Sequence, residues 1–170
     1  MRSFDEIFEI TSARKGGDDA LERMLEPAAP ARQLAQVPDD RWLAMMAKCI
    51  FNAGFNWKVV DAKWPGFEEA FEGFVPNRVA MFHDDDFTRL VSDTRIVRHG
   101  GKIRAVHENA IFCRELAAEG GSVGAVLGGW PDDDYVGLLA MLKKRGSRLG
   151  GNTGQYFLRF MNRDGFILSS

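Results

Sequence analysis

The stretch from Tyr135 to Met161 reads YVGLLAMLKKRGSRLGGNTGQYFLRFM, and the rest of the chain is best understood around it. Its pattern predicts a helix over 135–144, a turn over 145–152 and a second helix over 153–161. Two successive glycines in the turn permit backbone angles that a side chain would penalise, so the turn can be short. The stretch therefore predicts a tight helical hairpin.

This hairpin is a candidate anion site. Asn152 or Thr153 can cap the second helix, whose first amides and dipole then favour a negative charge. No acidic residue follows the basic turn until Asp164. Such a turn can hold a nucleic-acid phosphate without reading bases, although an ordinary turn with a solvated charge cluster fits equally well. The candidate backbone-binding residues here are Lys144, Arg145, Arg148, Gly150, Gly151, Asn152 and Thr153.

Length and composition bound the class of protein. A chain of 170 residues fits one domain with a substantial core, and no apolar run is long enough to cross a membrane. The formal net charge is only −2, but acid is concentrated near the N-terminus, while segments 95–104 and 143–163 are basic and free of acid. Cys49 and Cys113 lack metal-ligand spacing, which predicts reduced, buried thiols in a cytoplasmic protein.

Apolar periodicity predicts the fold class. Positions such as Ile103, Val106 and Ala110 step by three and four, and no stretch alternates over the length of a strand. We therefore predict an all-α fold. We expect a helical N-terminal segment over 1–37 and a main domain over 38–170, packed as one compact unit. A helix from Trp57 is expected to stop before Pro65.

Several motifs resemble the DNA-3-methyladenine glycosylase I family, which belongs to the helix–hairpin–helix glycosylase superfamily. Residues 53–57 read AGFNW, close to the family's AGLSW, and residues 90–103 read LVSDTRIVRHGGKI, close to its LVxDxxIIRHxGKI. Asn109-Ala110 follows at the family spacing, and KKRG at 143–146 precedes the hairpin. The resemblance extends over roughly residues 40–168.

The resemblance implies an enzyme of base-excision repair. It would flip an alkylated adenine, such as 3-methyladenine, out of double-stranded DNA and hydrolyse its N-glycosidic bond without a cofactor. Trp57 matches the aromatic residue that stacks on the extruded base, although an ordinary core tryptophan has the same pattern. Phe51 and Asn52 would line the base pocket. Arg98 and Lys102 could contact the DNA backbone or hold their helix to its neighbours.

The chain departs from the family pattern in the pocket. The family carries LEGxQAG, whereas residues 48–54 read KCIFNAG, so Cys49 replaces the base-recognising glutamate and Asn52 replaces the glutamine. No catalytic residue is therefore assigned, and Cys49 and Asn52 are the only candidates. The family's zinc ligands have no counterparts, so no metal is predicted. Two alternatives stay open: a catalytically impaired DNA-binding protein on this scaffold, or a helical protein-interaction domain.

Overall fold

The computed structural model describes residues 31–161, which form helices and connecting turns without a strand. The predicted all-α class is confirmed. None of the helices in this range combines the length and apolar character that a bilayer crossing requires. Most of the predicted N-terminal segment 1–37 lies outside the described residues, so its separation from 38–170 stays a prediction.

The helices are short except for one, and we number them in chain order. They are α1 (Ala31–Ala35), α2 (Asp39–Asn52), α3 (Trp57–Ala70), α4 (Pro76–Val79), α5 (Asp84–Leu90), α6 (Gly100–Gly120), α7 (Val123–Gly128), α8 (Tyr135–Arg145) and α9 (Gly151–Phe160). A 3₁₀ turn, Glu72–Phe74, joins α3 to α4.

The core forms around α2 and α6, which pack against each other. Their buried faces carry the predicted helical spacing, with Trp42 and Met46 on α2 and Val106 and Ala110 on α6 all fully enclosed. Helix α9 packs on α2, while α7 packs on α6 and α1 packs on α7. This arrangement brings the hairpin predicted from the sequence alongside the C-terminal half of α2.

Helix α3 does not stop before Pro65 but continues to Ala70, so that prediction was wrong. A proline inside a helix removes one hydrogen bond and costs about 3 kcal/mol. Aromatic packing around the second half of the helix offsets this cost. The ring of Trp64 stacks on Phe67 and Phe74 at centroid distances of 5.1 and 5.3 Å. Burial of these rings outweighs the local preference, which periodicity alone could not reveal.

Side-chain caps fix the helix boundaries nearest the candidate site. The Asn56 side-chain oxygen accepts the Lys58 amide at 3.0 Å, which starts α3 as the sequence predicts. His99 caps α6, with its Nδ1 accepting the Lys102 amide at 3.0 Å. These caps fix the loop between α2 and α3 and the start of α6.

Candidate functional site

The hairpin is present, but its second helix begins earlier than predicted. Helix α9 starts at Gly151, and its N-cap is Gly150, which makes no side-chain capping bond. Neither Asn152 nor Thr153 acts as the cap, because both already lie in the first helical turn. Gly151 has a φ of +59°, a backbone conformation that favours glycine and lets the helix start there. The first amides of α9 have no acceptors within the helix.

Asn109 holds the turn in place. Its side chain is fully buried in α6, where Oδ1 accepts the Ser147 amide at 2.7 Å and Nδ2 donates to the Ser147 carbonyl at 2.9 Å. One amide therefore satisfies both backbone groups of a residue in the turn. Ser147 also donates its hydroxyl to Glu108 at 2.5 Å. A polar residue on the apolar stripe of α6 was the sequence signal for this contact, and its role was missed.

Arg145, predicted among the residues that bind the DNA backbone, is paired with an acid of α6 in the structure. Its guanidinium forms a fork with Glu119, at 3.0 and 2.5 Å, and packs over the Phe112 ring. The Glu119 carboxylate raises the pKa of Arg145, and Arg145 lowers the pKa of Glu119. The sequence near the turn contains no acid, but the fold brings acids from α6 to it. Arg145 therefore joins α8 to α6.

Lys102, for which the sequence left open a DNA-backbone contact or a role in holding its helix, contacts the end of α2. Only 7% of the residue is exposed, and its Nζ donates to the carbonyls of Phe51 and Ala53 at 3.2 and 2.8 Å. These carbonyls lie at the C-terminal end of α2, where a cation is favourable. Burial lowers the pKa of Lys102, and the charge of Arg148 lowers it further. Lys102 thus ties α6 to α2.

Arg148 is the most unusual residue of the turn. It has a φ of +59°, which costs a residue other than glycine of order 1 kcal/mol or more. A Cβ on Gly101 would come within 2.6 Å of its Nη2, so the guanidinium lies against the start of α6. It is therefore close to one helix N-terminus and to Lys102, and three residues from the start of α9. Two cations thus lie near each other here, and the predicted backbone contacts Arg98 and Lys144 are exposed.

A cavity lies between the end of α2 and the first turns of α9. Its volume is about 340 Å³, at the lower end of the range for small-molecule sites, roughly 300–1,000 Å³. It is lined by Cys49, Asn52, Ala53, Gly54, Asn152, Thr153 and Tyr156. The structure thus brings predicted pocket residues and predicted backbone-binding residues to one site.

The two candidate catalytic residues, Cys49 and Asn52, both line this cavity. Cys49 is a buried, free cysteine, as predicted, and burial raises the pKa of its thiol well above the ordinary value. It is therefore neutral and poorly nucleophilic at physiological pH. Asn52 is 8% exposed, and neither its Oδ1 nor its Nδ2 has a hydrogen-bond partner in the part of the chain that the structure describes. The described lining residues include no carboxylate.

The other two predicted pocket residues lie elsewhere. Phe51 is fully enclosed and packs its ring against Phe67 at 4.7 Å, so the structure places it in the core rather than in the cavity wall. Successive residues of a helix point in different directions, which explains the error. Trp57 is half-buried at the start of α3, three residues beyond the lining residue Gly54, and does not itself belong to the lining given above.

Phe55 is a further candidate that sequence reasoning missed. It follows the lining residue Gly54, and 43% of it is exposed, which is unusual for a phenylalanine. The Lys102 ammonium lies 5.9 Å from its ring centroid. An aromatic residue in a short loop between two helices was the available signal.

A family model for methyladenine glycosylase matches residues 34–136, which is more than half of the chain. The chain belongs to the methyladenine glycosylase family. The match covers α2 through the start of α8, including the cavity residues on α2, and stops before the turn. Membership of this family thus rests on the scaffold and the α2 side of the cavity.

Individual relatives agree with the family. DNA-3-methyladenine glycosylase 1 of Escherichia coli (strain K12) is 41% identical over 58 residues, which are 34% of this chain and 31% of that protein. The aligned segment thus spans under a third of that relative. The structure of 3-methyladenine DNA glycosylase I from Staphylococcus aureus has a TM-score of 0.70 and 22% identity, covering 92% of this chain and 91% of that one. A variant 3-methyladenine DNA glycosylase I solved in complex with 3-methyladenine gives a TM-score of 0.69 and 21% identity, covering 92% of each chain. These methyladenine glycosylases share the fold.

Proposed function

We propose that this methyladenine glycosylase family member hydrolyses the N-glycosidic bond of an alkylated adenine in double-stranded DNA. The observation that carries the proposal is the position of the cavity, which is bounded by Asn52 on α2 and by Asn152 and Thr153 on α9. A base extruded into this cavity would leave its phosphates next to the first amides of α9 and the charge of Arg148. A cytoplasmic location is part of the same proposal.

The neutral lining of the cavity fits a base that leaves readily. Alkylation at N3 gives the nucleotide a positive charge, so the base departs as a neutral molecule and needs little help from an acid. Because the thiol of Cys49 stays protonated, it is not a good nucleophile for the sugar. Base extrusion, stacking and stabilisation of the cationic sugar would supply most of the rate enhancement.

Two aromatic residues that follow the lining residue Gly54 in the chain have separate roles in the proposal. Trp57, half-buried at the start of α3, would stack on the base as it leaves the helix. Phe55, exposed at the tip of the loop between α2 and α3, would fill the gap left in the base stack. Apolar wedges of this type stabilise unstacked DNA in other proteins.

The backbone contacts in the proposal come from the turn. Arg148, Lys144 and Arg98 are exposed cations, and the amides of Gly151 and Asn152 lie at the start of α9. Arg148 has a backbone conformation that glycine would adopt without strain. An arginine in this conformation supports a role for its side chain. Arg145 and Lys102 stabilise this surface from behind and do not take part in phosphate binding.

Base release from methylated duplex DNA tests the proposal. The protein should release 3-methyladenine above the rate of spontaneous depurination. Trp57→Ala should lower kcat/KM roughly 5- to 150-fold, because stacking contributes about 1–3 kcal/mol per base. Trp130→Ala is the matched control, since Trp130 is also half-buried but bonds Asp134 at the start of α8. Equal losses in both variants would count against a stacking role for Trp57.

A catalytically impaired DNA-binding protein is the second candidate, and the neutral cavity lining favours it. It predicts salt-dependent duplex binding that weakens in Arg148→Glu, without release of any alkylated base. Release of 3-methyladenine by the unmodified protein would exclude it.

A further inference from the structure

Lys102 carries a buried positive charge that no acid among residues 31–161 offsets. The residue is 7% exposed, and its Nζ donates to the backbone carbonyls of Phe51 and Ala53, at 3.2 and 2.8 Å. Carbonyl dipoles stabilise a buried cation in part, but lysines this deeply buried are usually paired with a carboxylate. The charge of Lys102 is therefore incompletely compensated by the described protein.

The same ammonium holds the loop between α2 and α3. The two carbonyls that it bonds flank Asn52, which lines the cavity together with Ala53 and Gly54. The ammonium also lies 5.9 Å from the ring centroid of Phe55, the exposed aromatic residue of this loop, where cation–π attraction adds to the hydrogen bonds. None of these contacts from α2 and its loop brings a charge of its own. One cation therefore positions both the cavity wall and the exposed ring.

Lys102 is also close to the cation of the turn. The guanidinium of Arg148 lies against Gly101, the residue before Lys102, and the positive charge of Arg148 disfavours that of Lys102. The ring of His99 faces the same point, and its Nδ1 accepts the Lys102 amide, so that nitrogen carries no proton. A phosphate bound by Arg148 would supply the negative charge that both cations lack.

We infer that Lys102 is a positioning residue, through which a DNA phosphate held by Arg148 tightens the loop that carries the cavity wall and Phe55. Lys102 contacts no phosphate in this arrangement, and the phosphate acts on it only through its charge. With that charge in place, the ammonium form is favoured, and it bonds the two carbonyls more strongly than the neutral amine does. Binding of the DNA backbone is thereby coupled to capture of the base. The inference rests on the proposed function, which supplies the bound phosphate.

The pH dependence of binding to undamaged duplex DNA tests the inference without turnover. Burial and the charge of Arg148 lower the pKa of Lys102, whereas a bound phosphate would raise it, so the complex takes up a proton and affinity falls as pH rises. From about pH 8 to about pH 9.5, exposed lysines stay mostly charged, because their pKa is about 10.4. At constant ionic strength, duplex affinity measured by fluorescence anisotropy should fall roughly threefold over this range, the size of a screened interaction between charges near a surface.

Four variants assign this pH dependence to its source. Lys102→Met removes the charge, and Lys102→Arg keeps it at every pH, so both should give an affinity that is constant over the range. Arg148→Gln should bind more weakly and lose the pH dependence together with the phosphate. Lys144→Met removes an exposed cation close to the same turn and is the control, with weaker binding but an undiminished pH dependence. A pH dependence that persists in Lys102→Arg would overturn the inference, and this variant suffices if Lys102→Met does not fold.

Base release separates positioning from a purely structural role. In Lys102→Met the single-turnover rate should fall roughly tenfold or more, because a small displacement of the loop misplaces the base, while duplex affinity falls only about threefold. In the unmodified protein, the alkaline fall in kcat should lie at higher pH than the fall in kcat/KM, because kcat reports the complex and kcat/KM the free protein. A purely structural lysine would leave the two profiles superimposed, which would overturn the inference.

The duplex-binding measurements distinguish failure of the inference from failure of the proposed function. If no base is released but the pH dependence is found and disappears in the Lys102 variants, the proposed activity fails and the inference stands. If bases are released but duplex affinity is constant over the pH range, the activity stands and the inference is overturned. If the protein does not bind the duplex, the inference is likewise overturned.

Discussion

The turn between α8 and α9 and the cavity beside it use the same chemical groups in opposite ways. In the turn, Asn109 uses its amide on the backbone of Ser147, and Arg145 uses its guanidinium on Glu119. In the cavity, the amide of Asn52 bonds to no group of residues 31–161. The comparison separates polar residues that position a surface from polar residues that remain available to a ligand.

The largest expected effect concerns the core beneath the cavity. Phe51→Ala should lower the free energy of unfolding by about 3–5 kcal/mol, because it removes a fully buried ring that packs on Phe67. Urea unfolding measures this loss. If Phe51→Ala leaves stability unchanged but weakens base binding, Phe51 instead belongs to the cavity wall.

Asn109→Leu should lower the free energy of unfolding by about 2–4 kcal/mol, because it leaves two backbone groups of Ser147 unpaired. Duplex affinity should fall as well, since the turn loses its anchor. Asn109 and Asn52 therefore form a matched pair: leucine destabilises the protein at position 109 and stabilises it at position 52. Changes of the same sign at both positions would contradict the comparison.

Alkaline pH should lower the free energy of unfolding through Cys49, which lines the cavity. Burial raises the pKa of this thiol above its value of 9.0 in the unfolded chain, so its contribution to stability is present below pH 9 and is lost as pH rises. One such group accounts for about 1.4 kcal/mol lost by pH 10. Cys49→Ala should reduce the difference in unfolding free energy between pH 7 and pH 10 by this amount. An unchanged difference would place the thiol in contact with water.

The smallest effect distinguishes two neighbouring cations of the turn. Lys144→Ala should lower duplex affinity and reduce the salt slope of binding by about one, because an exposed cation would contact a phosphate. Arg145→Ala should leave the salt slope nearly unchanged, because its charge is already paired with Glu119. Equal salt slopes for both variants would contradict the assignment of Lys144 to phosphate binding and of Arg145 to the contact between α8 and α6.

Sequence reasoning recovered the parts of the molecule that depend on local chemistry. The helical class, the hairpin and the cap at Asn56 follow from spacing and from short-range hydrogen bonds. The burial of Cys49 followed from the apolar stripe of its helix. These features need only neighbours within a few turns of the chain.

Three of the differences between expectation and structure have one physical origin, which is contact between residues that are not neighbours in the chain. Helix α3 passes Pro65 because Trp64 stacks on Phe74. Lys102 is buried because backbone carbonyls about fifty residues earlier in the chain accept hydrogen bonds from its ammonium group. Arg145 is paired because α6 brings Glu119 to it. The motifs identified the right segments, but which way each cation points depends on tertiary packing.

The most direct test of the account is base release under single-turnover conditions, with protein in excess over a duplex that carries alkylated purines. The account predicts release of 3-methyladenine above the spontaneous rate, reduced in Trp57→Ala and retained in Trp130→Ala. Release no faster than spontaneous depurination, by protein shown to bind the duplex, would contradict it.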